Sequence, residues 1–176
     1  MFNGSVCRVK TCPPKPWNYK LHNVSKEGFN HIFIGNFKEN GECSGCHHIA
    51  AQECGYARIK KIEQDKNEVF TAEVIIQSKD NKCYKKYSTF FPEKWSIQTT
   101  LDKIEEAYKN SKLVTEELHL KKRHIRMGKT AEGITIKLHM DNFDNKKIFS
   151  AYPILKKQST SDLTLPEHMP IYEDQD

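Results

Sequence analysis

Residues 31–48 read HIFIGNFKENGECSGCHH, and the interpretation of the whole chain starts from this stretch. The apolar residues 32–34, followed by a glycine, predict a short buried strand. The Asn-Gly pair at 40–41 predicts a turn that brings the chain back. We therefore expect His31 to face His47. Two imidazoles in one pocket suit acid–base chemistry, because an ordinary imidazole pKa of about 6.5 lets one ring be neutral while the other is protonated.

The segment FNHIFIGNF, followed by SGCHH, resembles the catalytic stretch of the EndoU endoribonuclease family, in which a Gly-x-His follows a histidine about sixteen residues later. Here those positions are His31, Gly45 and His47. Further along, YSTFFPEKWS and FSAYPI resemble the bacterial EndoU pattern in the same order, so the resemblance covers residues 29–155. It implies an α+β fold, an EndoU catalytic domain with antiparallel sheets lining a cleft and a pancreatic-ribonuclease-like site.

The chemistry implied by this resemblance needs no metal and no covalent intermediate, because RNA carries its own nucleophile in the 2′-hydroxyl. One neutral imidazole takes the 2′ proton, one imidazolium protonates the leaving 5′ oxygen, and a cation stabilises the phosphorane. We assign His47 as the base and His31 as the acid, and these two labels are exchangeable. The expected products are a 2′,3′-cyclic phosphate and a 5′-hydroxyl, with a preference for cleavage at uridylates.

The family carries its catalytic lysine on a strand, with a hydroxyl residue about four positions later. Residues 82–91 form the matching predicted strand, and alternation puts Lys85 on one face with Thr89. Lys85 is therefore our expected electrostatic stabiliser, with Ser88 and Thr89 as substrate-binding hydroxyls. Lys86, on the other face, remains an alternative catalytic lysine, as does Lys94 in the loop PEKW.

Residues 147–155 predict a further strand on which Ser150 and Tyr152 share a face. By the resemblance, Ser150 hydrogen bonds the edge of the uracil base and Tyr152 stacks on it. The ordinary alternative is a tyrosine half-buried in a sheet with a solvated hydroxyl. Pro153 predicts a sheet edge or a bulge, since proline cannot donate a ladder hydrogen bond.

Other elements follow from periodicity. Residues 49–62 predict a helical turn followed by a strand, 69–77 predict a half-buried strand, and 79–81 predict the hairpin turn after it. Ser96 is a plausible N-cap for a helix over 97–110. Its apolar residues recur at helical spacing and are expected to lie in the core: Ile97, Leu101, Ile104 and Tyr108. A strand is also predicted over 133–140, with the even-numbered side chains inward and His139 outward.

The remaining histidines lack a motif. His48 directly follows His47 and is expected to give structural support. The others are expected to be ordinary surface or packing residues: His22, His119, His124, His139 and His168.

Composition and charge bound the class of protein. Hydrophobic residues make up 37% and charged residues 29% of the 176, as in one domain with a core and a well-solvated surface. We divide the chain into an N-terminal arm or linker (1–27), an EndoU-like ribonuclease domain (28–157) and an acidic tail (158–176). Nothing in it resembles a membrane span or an apolar signal peptide, so no membrane partner is expected for the isolated domain.

The net charge of +5 hides an asymmetry, because residues 162–176 carry five acidic residues and no lysine or arginine. The rest of the chain is therefore at +10, five above the whole. Such a charge favours a polyanionic partner such as RNA, although many soluble domains of similar charge bind no nucleic acid. The basic segment 113–129 is either a solvated surface or a loop that contacts phosphates.

The six cysteines do not settle a disulfide framework, and free thiols in a reducing compartment are slightly favoured. Cys43, Cys46 and His47 match the C-x-x-C-H pattern of covalent haem attachment, but the predicted strands disfavour a cytochrome. A zinc site using Cys43, Cys46 and His47 is a second alternative, and a non-catalytic RNA-binding module is a third. We expect no cofactor; some EndoU relatives are stimulated by manganese, and no carboxylate cluster here argues for it.

Bacterial EndoU domains often form the C-terminal toxin module of contact-dependent or secreted polymorphic toxins. The resemblance therefore implies a secreted or cell-surface delivered toxin domain that acts in the cytoplasm of a target cell. Its expected partners are RNA, with tRNA as a candidate, and a cognate immunity protein.

Overall fold

The computed structural model describes residues 13–37, 42–77, 83–114, 124–142 and 144–156. Its elements, in chain order, are a 3₁₀ turn (Pro16–Asn18), α1 (Lys26–Phe33), β1 (Asn36–Phe37), β2 (Cys43–Ser44), α2 (Ala50–Glu53), β3 (Ala57–Gln64), β4 (Phe70–Gln77), β5 (Cys83–Phe90), α3 (Ile97–Lys109), β6 (Lys112–Leu113), β7 (Ile125–Lys129), β8 (Thr135–Met140) and β9 (Ile148–Pro153). Helices together with antiparallel sheets confirm the α+β class. No helix within the described ranges is long and apolar enough to cross a membrane.

The strands form three antiparallel sheets: β1-β2, β3-β4-β5 and β6-β7-β8-β9. The structure confirms four of the expected strands, over 69–77, 82–91, 133–140 and 147–155. It also confirms the helical turn and the strand expected within 49–62. Pro153 ends β9 at the edge of the four-stranded sheet, which confirms its predicted edge position. Several predicted features lie outside the described residues: the turns at 40–41 and 79–81, residues 115–123 of the basic segment with His119, and the acidic tail from 158 on with His168.

The strand predicted over 32–34 is wrong, because these residues end or follow helix α1. Ser25 caps the helix by accepting a hydrogen bond from the Gly28 amide at 2.9 Å. Phe29, Ile32 and Phe33, at positions i, i+3 and i+4, are all fully buried on the face that packs against β9. An apolar run of three residues is compatible with a helix and with a strand. The N-cap at Ser25 and the apolar residue Phe29, both upstream of the run, favour the helix.

Helix α3 forms as predicted. The Ser96 hydroxyl accepts a hydrogen bond from the Thr99 amide at 3.0 Å, which confirms the N-cap. Leu101 and Ile104 are fully buried. Leu101 and Ile104 belong to a core cluster that also contains side chains of α1, β8 and β9. Ile97 and Tyr108 are partly buried and pack against this cluster. The apolar stripe is therefore core, as expected.

Part of the segment assigned to the N-terminal arm packs on the domain. Val24 is 2% exposed and forms a parallel bridge with Ile148 of β9. The Tyr19 ring stacks on Phe29 of α1, with ring centroids 5.5 Å apart. These contacts place the residues just before α1 against the main core.

A second core lies under the three-stranded sheet. The rings of Phe70 on β4 and Phe90 on β5 stack with centroids 5.0 Å apart. Ala72, Val74 and Cys46 belong to the same buried cluster. The segment that carries His47 is therefore packed against this sheet, while α1 is packed against the other.

Candidate active site

The end of helix α1 brings the two motif histidines together. The last carbonyls of a helix have no partner inside the helix. Here the backbone amides of Cys46 and His47 donate to the carbonyls of His31 and Ile32, each at 2.8 Å. The imidazole rings of His31 and His47 lie with their centroids 6.2 Å apart. The expected pairing of His31 with His47 thus has a backbone cause, although it forms from a helix end and not from a strand.

Gly45 makes this approach possible. Its φ is +75°, a conformation that favours glycine. A Cβ atom at this position would lie 2.1 Å from the carbonyl oxygen of His31, well inside contact distance. The glycine of the Gly-x-His motif is therefore required by the close packing of two backbone segments.

His47 is 2% exposed, and its Nδ1 atom lies 2.9 Å from both the Thr89 carbonyl oxygen and the Ser88 hydroxyl. A carbonyl oxygen only accepts, so Nδ1 carries the proton and Nε2 keeps a lone pair. The pKa of His47 lies well below its usual value because the ring is buried, and because the charges of Lys86 and His31 oppose a further positive charge. The ring is therefore neutral at neutral pH.

His31 is held on two sides. Its Nδ1 atom lies 3.3 Å from the side-chain amide nitrogen of Asn36, and its ring lies 5.0 Å, centroid to centroid, from Phe149. Phe149 is the extra residue of a bulge in β9, since Ile148 and Ser150 pair with two successive residues of β8. His31 also occupies the last turn of α1, where the helix dipole favours a positive charge.

The lysine beside the histidines is Lys86. Its ammonium donates to the Gly45 carbonyl oxygen at 2.9 Å. Lys85 lies on the opposite face of β5, 56% exposed and ion-paired with Glu73 at 2.6 Å. The prediction that Lys85 enters the site is therefore wrong, and the alternative, Lys86, takes that place. Lys94, the other alternative, is ion-paired with Glu68.

Of the two predicted hydroxyl residues, Ser88 presents its side chain to the site. Its hydroxyl contacts His47, whereas Thr89 contacts the same ring through its backbone carbonyl. The Thr89 side chain shares the strand face of Lys85. Spacing by four residues from Lys85 therefore selected the wrong face of β5.

Ser150 and Tyr152 both lie at the site, on β9. Ser150 is 4% exposed, and the half-buried Tyr152 stacks on His47 with ring centroids 5.1 Å apart. The site thus lies between the two larger sheets, because His47 contacts β5 on one side and β9 on the other.

Sequence reasoning missed His139. It was expected to point outward from β8, and it does leave the main core, but it is only 2% exposed because the site covers that face. Its Nε2 atom lies 3.2 Å from the Tyr152 hydroxyl. Pairing the predicted strands would have found it, since His139 lies directly opposite Ser150.

His48 has the structural role expected of it. Its Nε2 donates to the Trp95 carbonyl at 2.9 Å, and its Nδ1 accepts from the Ala50 amide at 3.1 Å. Burial lowers its pKa to about 4. Both ring nitrogens are thus used by the backbone of neighbouring segments.

The cysteine motif does not assemble with other ligands. Cys43 and Cys46 are free thiols, and burial raises the pKa of Cys46 to about 12. In the part of the chain that the structure describes, no group of three or more His, Cys, Asp or Glu side chains is placed to hold a metal ion. The zinc alternative with Cys43, Cys46 and His47 gains no support from this geometry.

Comparison with known proteins agrees with these motifs. Residues 25–155 match the family described as Bacterial EndoU nuclease. A protein of Bacillus cereus named Toxin is 30% identical over 130 residues, which covers 70% of this chain and 21% of that protein. The chain therefore spans about a fifth of the length of this curated relative. No solved structure matches significantly.

Proposed function

The chain belongs to the bacterial EndoU nuclease family, and from this membership we propose that it is an endoribonuclease that cleaves RNA by attack of the ribose 2′-hydroxyl on the adjacent phosphodiester. The products are a 2′,3′-cyclic phosphate and a 5′-hydroxyl end. Family membership supplies the nuclease activity. The proposal adds the substrate, the reaction and the roles of individual residues.

His47 is the general base. Its Nδ1 proton is held by the Thr89 carbonyl, so Nε2 is the atom that accepts the 2′ proton. Its lowered pKa keeps the ring unprotonated at neutral pH. The Thr89 carbonyl and the Ser88 hydroxyl, which lie beside Nδ1–H, also stabilise the imidazolium once it has formed.

His31 is the general acid. An imidazolium has no acceptor atom, so in the acid form Nδ1–H donates to the side-chain oxygen of Asn36, whose amide has turned over. Nε2–H then carries the proton given to the departing 5′ oxygen. The position at the helix C-terminus favours the protonated ring that this role requires. With centroids 6.2 Å apart, the two rings are close enough for one phosphodiester to hydrogen bond to both.

Lys86 supplies the cation that stabilises the phosphorane, since it lies next to the base. Ser150 hydrogen bonds the base edge and Tyr152 offers the stacking surface for uracil, as the family resemblance implies. Protein groups thus supply the base, the acid and the positive charge. We therefore propose that the reaction is metal-independent, so chelation with EDTA is expected to leave the rate unchanged.

The observation that carries this proposal is the attachment of both histidines to one helix end. Its test is cleavage of a uridine-containing RNA by the wild type and by the His31→Ala and His47→Ala variants. His22→Ala, at a histidine paired with Asp102, is the matched control. We expect loss of cleavage in both motif variants only, and intact RNA wherever a 2′-O-methyl blocks the nucleophile. Cleavage of the methylated RNA would refute the mechanism.

We further propose that the domain is a delivered toxin effector that degrades RNA in the cytoplasm of a target cell, with tRNA as a candidate substrate, and that a cognate immunity protein neutralises it. The similarity to a protein named Toxin supports this. Expression in the cytosol of a susceptible bacterium is expected to stop growth, and the His47→Ala variant is expected to be harmless. Sequencing RNA fragments with 5′-hydroxyl ends would identify the target. Normal growth with active enzyme present would contradict the toxin role.

A further inference from the structure

His139 is a third buried histidine at the site, beyond the pair that performs acid–base catalysis. It lies on β8 directly opposite Ser150 of β9 and is 2% exposed. Its Nε2 atom lies 3.2 Å from the Tyr152 hydroxyl, and the two ring centroids are 5.6 Å apart. The side chain therefore contacts Tyr152, the residue proposed to stack on the base.

Tyr152 is thus held at two places. Its ring stacks on His47 at 5.1 Å, and its hydroxyl meets His139. A stacking platform needs a fixed ring plane, and a hydrogen bond at the hydroxyl restricts rotation of the ring and of the side chain. Restricting the platform before binding lowers the entropic cost of binding a base.

We propose that His139 is a positioning residue for Tyr152, and that it strengthens binding of the pyrimidine base at the cleaved nucleotide by fixing the tyrosine hydroxyl. This inference rests on the proposed ribonuclease function and deepens it, because it assigns a determinant of base binding that lies outside the catalytic set. The substrate class is RNA with a pyrimidine on the 5′ side of the cut.

His139 acts through substrate binding, and its effect on His47 is electrostatic, because a charge on His139 lowers the pKa of that ring. Besides the stacked Tyr152 ring, His47 is held by two contacts at Nδ1 and by its backbone amide, none of which involves His139. Loss of the hydrogen bond to Tyr152 is therefore expected to leave the base in place. At neutral pH, where His47 is already unprotonated, the expected change is a weaker complex and a higher KM, with kcat unchanged within about twofold.

The test uses the full chain and a 2′-deoxyuridylyl-adenosine dinucleotide, which cannot be cleaved by 2′-hydroxyl attack, with its Kd measured by NMR titration. His139→Phe keeps an aromatic ring without the hydrogen bond, and Tyr152→Phe removes the hydroxyl partner. A single neutral hydrogen bond corresponds to about a fivefold change, so each variant is expected to raise Kd about fivefold. The double variant is expected to be no worse than either single one.

His139→Gln is the conservative variant, since its amide nitrogen can replace the ring nitrogen as a donor to the tyrosine oxygen. It is expected to bind like the wild type, and only when Tyr152 is intact. If His139→Phe fails to fold in a thermal melt, Tyr152→Phe decides alone, because it removes the same hydrogen bond from the other side.

A wild-type Kd in Tyr152→Phe, additive losses in the double variant, or no binding by the wild type would each overturn the role of His139. Failure of the proposed function is a separate result. It would appear as uncleaved ribonucleotide substrate in the wild type, whatever the Kd values of the deoxy analogue. The kcat values of active variants, measured with uridylyl-adenosine, distinguish a binding effect from a change at His47.

Discussion

Replacement of Lys86 by methionine is expected to lower kcat by about 100- to 1000-fold, the usual loss when a preorganised donor to a developing oxyanion is removed. Lys86 sits next to the proposed base, 2.9 Å from the Gly45 carbonyl oxygen. Methionine keeps the length of the side chain and removes its charge. Lys85→Met is the matched control, because Lys85 is 56% exposed and paired with Glu73 on the other face of the same strand. It is expected to keep activity within about twofold.

The two variants should also differ in their pH dependence. Lys86 is the largest charge effect that holds the pKa of His47 below its usual value. Without that charge, the pKa of His47 rises, so the base becomes protonated at a higher pH. The acid limb of kcat/KM is therefore expected to move to higher pH in Lys86→Met, which makes the loss of activity larger at low pH. Lys85→Met should leave the limb where it is.

The assay is kcat/KM for a uridylyl dinucleotide from about pH 5 to pH 8, the range in which a histidine changes charge. Thermal melts of both variants establish that they fold. Equal activity of Lys86→Met and the wild type would refute the role of this lysine. A shift of the acid limb to lower pH would refute the electrostatic argument, because it has the opposite sign.

Three further predictions concern stability and support of the site. In urea titrations, Gly45→Ala should lower the free energy of unfolding by at least about 2 kcal/mol more than Gly133→Ala. Both glycines have positive φ, but only the Cβ added at Gly45 would meet a helix carbonyl, at 2.1 Å. His48 is neutral in the fold with a pKa of about 4, so the unfolded chain binds its proton first as pH falls. The contribution of neutral His48 to the free energy of unfolding is then fully present above about pH 6.5 and falls by about 3 kcal/mol on acidification to about pH 4. A urea midpoint that stays constant between those pH values would contradict this. Ser88→Ala should reduce kcat less than tenfold, because the Thr89 carbonyl still holds Nδ1 of His47; inactivity of the folded variant would show that the hydroxyl does more.

Periodicity predicted the elements whose pattern extends over several turns or residue pairs. Helix α3 has a serine cap and apolar residues over three turns, and β8 alternates over its whole length. Such patterns predict one type of element, because the same residues folded with the other periodicity would bury charged side chains. Helix α1 was not predicted, because the apolar run at 32–34 also fits a strand and only its first two residues belong to the helix. Its cap at Ser25 and the spacing from Phe29 to Phe33 were present in the sequence.

The choice between Lys85 and Lys86 shows a different limit. Adjacent residues on a strand point to opposite faces, so an error of one position selects a lysine that faces solvent instead of the one that faces the site. The exposed face of β5 carries Lys85, Tyr87 and Glu73 of the neighbouring strand in mutual contact, which also fits a site-like polar cluster. Local sequence does not say which face meets His47. That depends on how the sheet packs against the segment that follows β2.

The proposed acid–base pair and the proposed base-binding residues belong to different elements of the fold. Two backbone hydrogen bonds join the segment that carries His47 to the helix end that carries His31, so the pairing of the two rings depends on few side chains. The proposed stacking residue, Tyr152, lies instead on β9, and its hydroxyl contacts His139 of β8. Substitutions on β8 and β9 can therefore change which base is bound while the acid–base pair stays in place. On this reasoning, differences in cleavage preference among related domains should arise from residues at the positions of His139, Ser150 and Tyr152, and the reaction itself should stay the same.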